Sequence, residues 1–450
     1  MIGGILKENG YEVVLLDCMD RNHPSLIQLQ GIHNATNRDD GTGRFYKEFV
    51  TKPEVLKVVP RRFGRYGLPL AIVEEELAKL SPPDVIFVTS GMTYWYLGVK
   101  EMISLLKRVF QGIPVILGGI YASLCSEHAR GVSGADRVVT GEGEIKGLKI
   151  ADEITGHRSD TTRYRSLDDF PGPSYDLYNR LNSAALVTSR GCPFRCPFCA
   201  SRLLATGYRR RSPMKVVDEI EHLHRRRGVR EFAFYDDALL LEKEEHLVPI
   251  LEEVVERKLR IHFHTPNGIQ PREVNELLAR LMRKAGFKTI RLSYETSNRR
   301  RQELMGFKVK DDDLVNAVGC LSQAGFNRWE MGSYVLMGLP GQALEEVVES
   351  MIFVLRLGVK VSLASFSPIP GTQNWQEVVD RGILPVNADP LLTNNSVFPV
   401  ISNEIPYEIF LKLGTLSAVA NRVLNRGGDP MKEPKFLNAL KKLMNNPKNR

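Results

Sequence analysis

The chain has 450 residues, with 43% hydrophobic and 25% charged residues, the balance of a globular protein with room for two or three domains rather than a disordered or low-complexity chain. The net charge of +8 and the pI near 9.1 come from dispersed Lys and Arg without an Arg-aromatic array, so nucleic acid is not an expected partner. Met1-Ile-Gly-Gly-Ile-Leu-Lys-Glu8 does not read as a secretory leader. The best apolar run, 351–366, is broken by Arg356 and Lys360 and is too short for a transmembrane segment, so a cytoplasmic protein is expected.

Residues 1–155 alternate strand and helix patterns. Short apolar runs at 12–17, 84–89, 114–117 and 136–139 predict buried strands, and 71–80 and 99–110 have helical periodicity. Alternation of this kind argues a doubly wound parallel sheet, whose ligands sit at the carboxyl ends of the strands. At those ends stand Thr89-Ser90-Gly91, Gly118-Gly119 and Gly141-Glu142-Gly143-Glu144. Paired glycines let backbone approach a bulky ligand. Residues 37–69 form a long Gly-, Pro- and base-rich connection, the length of a functional loop. Tyr94-Trp95-Tyr96 follows the second strand, where rings either pack on a ligand or cap a helix.

The Leu-Gly-Gly-Ile-Tyr121 turn and the Gly-Glu-Gly-Glu144 stretch make this half resemble the cobalamin-binding (Rossmann-like) domain found before many radical S-adenosylmethionine (SAM) cores. The resemblance implies cobalamin contacts at Thr89, Ser90, Gly91, Gly118, Gly119, Tyr121, Gly141 and Glu142. Two departures stand out. The D-x-H-x-x-G motif is absent, and His23 and His33 lack its spacing, so no histidine ligand to cobalt is expected. The chain also opens in what should be the first helix, so the first strand has no counterpart. An in-frame upstream extension is the expectation that follows.

Residues 156–183, rich in turn formers, read as a linker. A second α/β domain follows over 184–384. Strands are predicted at 184–189, 231–235, 260–264, 289–294, 331–337 and 361–366, with helices at 213–226, 244–257, 271–285, 312–324 and 343–357. Six strands alternating with helices suit a six-stranded partial (β/α)6 barrel, whose chemistry lies at the strand carboxyl ends.

The first of those ends leads into Cys192-Pro-Phe-Arg-Cys196-Pro-Phe-Cys199. Three cysteines at C-x3-C-x2-C spacing can hold three irons of a 4Fe–4S cube and leave the fourth open. A structural zinc would want a fourth ligand, and His222 and His224 lie more than twenty residues on. A disulfide is less apt in an intracellular chain. Cys18, Cys125 and Cys320 are isolated and read as small buried hydrophobes.

The spacing, with Phe198 before the third cysteine, resembles the radical SAM superfamily. The resemblance implies that the open iron chelates SAM and that an electron from the cluster releases a 5′-deoxyadenosyl radical. It further implies SAM contacts at Phe198, Asp236, Asp237, Asn267, Glu295, Gly338 and Pro368. The acid usual in the fifth-strand turn is replaced around Gly341-Gln342. For each acid the plain alternative is helix capping, and Asp237 precedes a predicted helix. Arg209-Arg-Arg211 reads as a solvated charge run. Residues 385–450 hold amphipathic helices at 406–424 and 432–445 that would cap the barrel or bind substrate.

The expected protein is therefore a cobalamin-dependent radical SAM enzyme, with a 4Fe–4S cluster, SAM and cobalamin as cofactors, that methylates an unactivated carbon. No catalytic side chain is assigned. A small-molecule, lipid or peptide substrate and an electron donor such as ferredoxin or flavodoxin are the expected partners. The rivals are a cobalamin-dependent radical cyclase or rearrangement enzyme, and a cobalamin or redox sensor with a structural cluster. A tRNA methylthiotransferase would need three further cysteines in the N-terminal domain, where only Cys18 and Cys125 stand.

Overall fold

The computed structural model describes residues 1–29 and 36–445. The chain folds as two compact units. One comprises residues 1–184 with two short segments, 203–205 and 389–393; the other comprises 185–202, 206–388 and 394–450.

The first unit begins with the helix Ile2–Glu8. Its connection after the helix Pro24–Gln28 carries two small antiparallel ladders, β1 (Thr36–Asn37) with β2 (Gly43–Arg44) and β3 (Lys47–Phe49) with β4 (Gly64–Tyr66). The long loop expected at 37–69 is thus partly ordered by backbone pairing. A parallel sheet follows in the order β5 (Ile86–Ser90), β6 (Val115–Gly118), β7 (Arg137–Val138). The helices Leu70–Ala78, Tyr96–Val109 and Glu144–Thr155 accompany it.

Residues 12–17, expected as a strand, join no ladder. Val14 and Leu15 are exposed at 62% and 40%, and only Val13 packs on the cluster of Ile5, Leu6, Leu148 and Ala151. A short apolar run marks a strand only if a neighbour offers its hydrogen bonds, and none does here. Residues 156–183 form three 3-10 turns that pack on the first helix. Tyr164 and Phe170 stack at 5.2 Å against the Ile5–Leu6 cluster, and Lys7 pairs with Asp176.

The second unit is built on a six-stranded sheet in the order β15–β14–β13–β12–β11–β8. Its strands are β8 (Ser183–Leu186), β11 (Glu231–Phe234), β12 (His262–His264), β13 (Phe287–Glu295), β14 (Met331–Met337) and β15 (Lys360–Ser365), and the pairs from β11 to β15 are parallel. Phe232, Phe234, Phe263 and Phe287 interlock with ring centroids 5.0–6.3 Å apart and fill its core. The short ladder of β9 (Ser189–Arg190) and β10 (Arg209–Arg210) closes the cysteine loop.

The helix Tyr407–Asn425 covers the edge strand β15. Asn421 binds both the N–H and the C=O of Val361, at 2.9 and 2.7 Å, and Ser417 Oγ donates to the same carbonyl. Side-chain amides here replace the missing seventh strand, which protects an otherwise open edge. No helix among the described residues is long and apolar enough to cross a membrane.

Candidate active site

The cysteine loop leaves β8 and is tied down at both ends. Gly191 adopts φ +84°, and a Cβ there would run into Gly207 O, so the turn closing the loop needs glycine. Asp237 Oδ2 accepts from Gly191 N at 3.1 Å, and Oδ1 accepts from Ser201 Oγ at 2.6 Å. Asp237 thus joins the two ends of the loop and caps no helix.

Asp236 is 2% exposed. Its Oδ1 takes four donors, the N–H and hydroxyl groups of Thr188 and Ser189, at 2.5–3.0 Å, while its buried Oδ2 has no partner. Burial pushes this carboxyl above its ordinary range against those hydrogen bonds. His246 Nε2 reaches Thr188 Oγ1 at 2.8 Å from behind.

Cys192 and Cys196 are half-buried and Cys199 is exposed. Burial raises the Cys196 thiol to about 11 and also lifts Cys192. The Lys308 ammonium acts on both in the opposite direction, while Cys199 adds to the rise of both. Lys308 Nζ also stands 3.9 Å from Glu295 Oε1, at the end of β13, where the ladder register shifts and Glu295 takes φ +75°. A bulky residue in the left-handed region is a strained position of the kind that gathers at functional sites. Lone Lys308 had no signal in the sequence. Among the described residues no three His, Cys, Asp or Glu side chains close on one point as a single metal ion requires. A cubane instead takes one thiolate per iron.

The remaining residues named for SAM lie at strand ends of the same sheet. Asn267 Nδ2 donates to Tyr235 O at 2.8 Å, which links the ends of β11 and β12. Gly338, at φ +85°, turns the chain after β14, and Gln342 Oε1 accepts from the N–H groups of Gly338 and Leu339 at 2.8 and 3.2 Å. Gln342 thus holds this turn where an acid was expected. Pro368 is buried beyond β15. Phe198 shares a cavity of about 340 Å³ with Leu339, Pro340, Gly341, Asn298 and Arg301, and Arg301 is paired to Glu346 at 2.7 Å. Arg209-Arg-Arg211 is not a solvated run. Arg210 pairs with Glu242 and Glu245, and Arg211 with Glu219 at 2.8 Å.

In the first unit the residues named for cobalamin fall into two groups. Thr89, Ser90, Gly118 and Gly119 meet at the ends of β5 and β6, where Ser90 bridges Gly119. Gly119 has φ +88°, and a Cβ there would sit 2.6 Å from Thr89 Oγ1 and 2.7 Å from Ser90 O. Exposed Gly141 is drawn to them by Ser123, whose hydroxyl donates to Gly119 O at 2.8 Å and accepts from Gly141 N at 2.9 Å. Thr89 Oγ1 thus packs against Gly119, and Lys146 Nζ lies 3.6 Å from where a Gly141 Cβ would stand. Gly91 is exposed beyond the end of β5, and Glu142 is half-buried beside Gly141.

Tyr121 is different. It is fully buried, its hydroxyl lies 2.7 Å from His128 Nδ1, and its ring stacks on Tyr96. Tyr96 in turn donates to Asp389 at 2.9 Å, whereas Trp95 is 51% exposed. His23 is buried, 3.5 Å from Glu76, and His33 lies outside the described residues.

The three cysteines thus follow the first strand of the six-stranded sheet, and the glycine turn lies on a separate parallel sheet. The description "Radical SAM superfamily" matches residues 186–354, and "B12 binding domain" matches residues 71–147. The chain thus carries a radical SAM domain preceded by a B12-binding domain. These two domains bring a 4Fe–4S cluster, SAM and cobalamin as cofactors.

Similar proteins include an uncharacterized methyltransferase of Pyrococcus horikoshii, 25% identical over 71% of this chain and 75% of that one. Another is the cytidylyl-2-hydroxyethylphosphonate methyltransferase of Streptomyces wedmorensis, 22% identical over 85% of this chain and 77% of that one. The fold is shared with the radical SAM methyltransferase TsrM from Kitasatospora setae, solved with cobalamin and a [4Fe-4S] cluster, at TM-score 0.58 and 21% identity over 69% of each chain.

Proposed function

We propose that this chain is a cobalamin-dependent radical SAM C-methyltransferase acting on a small molecule. When bound, the cluster supplies the electron that opens SAM and cobalamin supplies the methyl group. The protein supplies binding and orientation. The observation that carries the reading is the pair of buried Glu295 and half-buried Lys308 beside the three thiols. Neither side chain has a hydrogen-bond partner among the described residues, so both have unused capacity. Together they complement a zwitterion, with Glu295 accepting from its ammonium and Lys308 donating to its carboxylate.

Asp236 and Asp237 would hold the cysteine loop in register, and Phe198 with the Gly338 turn would wall the adenosine end. Thr89, Ser90, Gly118, Gly119 and Gly141 would cradle cobalamin. With no D-x-H-x-x-G loop, the cobalt would carry no histidine. An acidic ferredoxin or flavodoxin would deliver the electron. None of the six cysteines is paired in a disulfide, as suits the cytoplasm, where we place the protein.

The test is turnover with methyl-labelled SAM over a panel of substrates. S-adenosylhomocysteine and 5′-deoxyadenosine formed together, with label in the product, are expected. 5′-Deoxyadenosine alone on the true substrate would move the assignment to a cyclase or rearrangement enzyme. Neither product on any substrate would favour a sensor.

A further inference from the structure

The connection before the helix Leu70–Ala78 presents a cationic, aromatic face that the proposed reaction does not use. β3 and β4 form a two-stranded ladder with Lys47 opposite Tyr66 and Phe49 opposite Gly64. Such a ladder is marginal alone. It is pinned by Arg65, which bonds Glu48 at 2.5 Å and Glu101 at 2.8 Å. On its outer side Lys47 Nζ lies 4.6 Å from the Phe49 ring centre and 5.2 Å from that of Tyr66, and the Arg62 guanidinium lies 5.2 Å from Phe49.

Both rings are more than half exposed, at 59% and 56%. Between the two strands, Leu56 and Val59 are buried and anchor the turn, while Val55 and Val58 face out, Val58 at 70%. Residues 38–65 hold eight Lys and Arg against four Asp and Glu. Of those acids, Glu48 and Glu54 are already paired to Arg65 and Lys57. Arg61 and Arg62 are exposed and have no acidic partner among the described residues.

We propose that this face docks the N-terminal unit on an anionic lipid bilayer. Aromatic rings and aliphatic side chains rimmed by cations suit the headgroup boundary: the rings and valines enter the apolar edge, and the cations meet lipid phosphates. A single-stranded nucleic acid fits less well. Stacking needs an open ring face, but Lys47 and Arg62 already lie over Phe49, and the valines offer bases nothing.

The test is co-sedimentation of the full-length, cluster-loaded protein with vesicles of phosphatidylcholine alone or with about one-third phosphatidylglycerol, the anionic component that supplies the surface field. Binding to the anionic vesicles, weakened by salt, is expected. Arg61→Glu/Arg62→Glu and Phe49→Ser/Tyr66→Ser proteins should each lose on the order of tenfold in partition, with melting temperature and iron content unchanged. Absence of wild-type binding to anionic vesicles would overturn the proposal, as would equal binding by both double variants. So would RNA binding, or a concentration-dependent dimer, that these variants abolish while vesicles are not bound.

Discussion

The Lys308 ammonium stands 3.9 Å from the buried Glu295 carboxylate, its own side chain 14% exposed, beside the cysteine loop. Burial raises the Glu295 carboxyl, and Lys308 draws it back only partly. Burial opposes the Lys308 charge, but Glu295 and the three thiols outweigh it and hold the ammonium above its ordinary value. The separation is too long for a hydrogen bond. The pair is thus an open clamp held by charge. Lys308→Ala should weaken SAM binding about tenfold to a hundredfold, the range for a charged hydrogen bond, with iron content retained, and Lys308→Arg should recover part of the loss. Equilibrium dialysis of the cluster-loaded protein measures this. Wild-type affinity in Lys308→Ala would remove Lys308 from the site.

Asp236→Ala should act on the protein's frame rather than on SAM directly. It strips the acceptor from four donors at the root of the cysteine loop. A buried donor left unpaired costs about 1–3 kcal/mol. The melting temperature should fall, and fewer irons should be retained after anaerobic reconstitution. Asp236→Asn, which keeps an acceptor oxygen, should fall between. Full iron retention in the Ala protein would show that the loop holds itself.

Gly119→Ala should close the cradle at the end of β6. The new Cβ would meet Thr89 Oγ1 and Ser90 O within 2.7 Å, on backbone at φ +88°. Strain of this kind costs on the order of 1–3 kcal/mol. Cobalamin retention on gel filtration should drop while cluster loading in the other unit stays at the wild-type level. A variant that keeps its cobalamin would place the cofactor elsewhere.

Glu231 lies 2.6 Å from His262 Nδ1 and 2.7 Å from His264 Nε2. Burial raises its carboxyl, but the two imidazoles outweigh this and leave it below its ordinary value of 4.5. A depressed carboxyl contributes stability that is fully present above its unfolded value and lost as pH falls through its folded value. Wild-type protein should therefore be more stable than Glu231→Gln at neutral pH, and the gap should close under acid. Urea melts across that range test it; a gap that widens on acidification would reverse the sign.

The alternation of apolar runs and helices was legible, and so were all six strands of the second sheet, because each run has a hydrogen-bonded neighbour. Residues 12–17 show the limit: the same pattern without a neighbour forms no strand. The cysteine triad could be proposed from the sequence because its spacing is local. Lys308, Ser123 and Asp389 were not. Each has a partner reached only through the fold, 13 residues away for Lys308 and Glu295, 18 for Ser123 and Gly141, and 293 for Asp389 and Tyr96. The Arg209–Arg211 run misled for the same reason, since the acids that pair with it lie up to 35 residues away.

The central claim is that Cys192, Cys196 and Cys199 hold a cluster that opens SAM. Its most direct test is 5′-deoxyadenosine production by the anaerobically reconstituted, reduced protein, wild type beside Cys199→Ala, with iron counted in both. The account predicts about four irons and steady product in the wild type, in line with cubane ligation, and no product from the variant. Product from Cys199→Ala at the wild-type rate would contradict it.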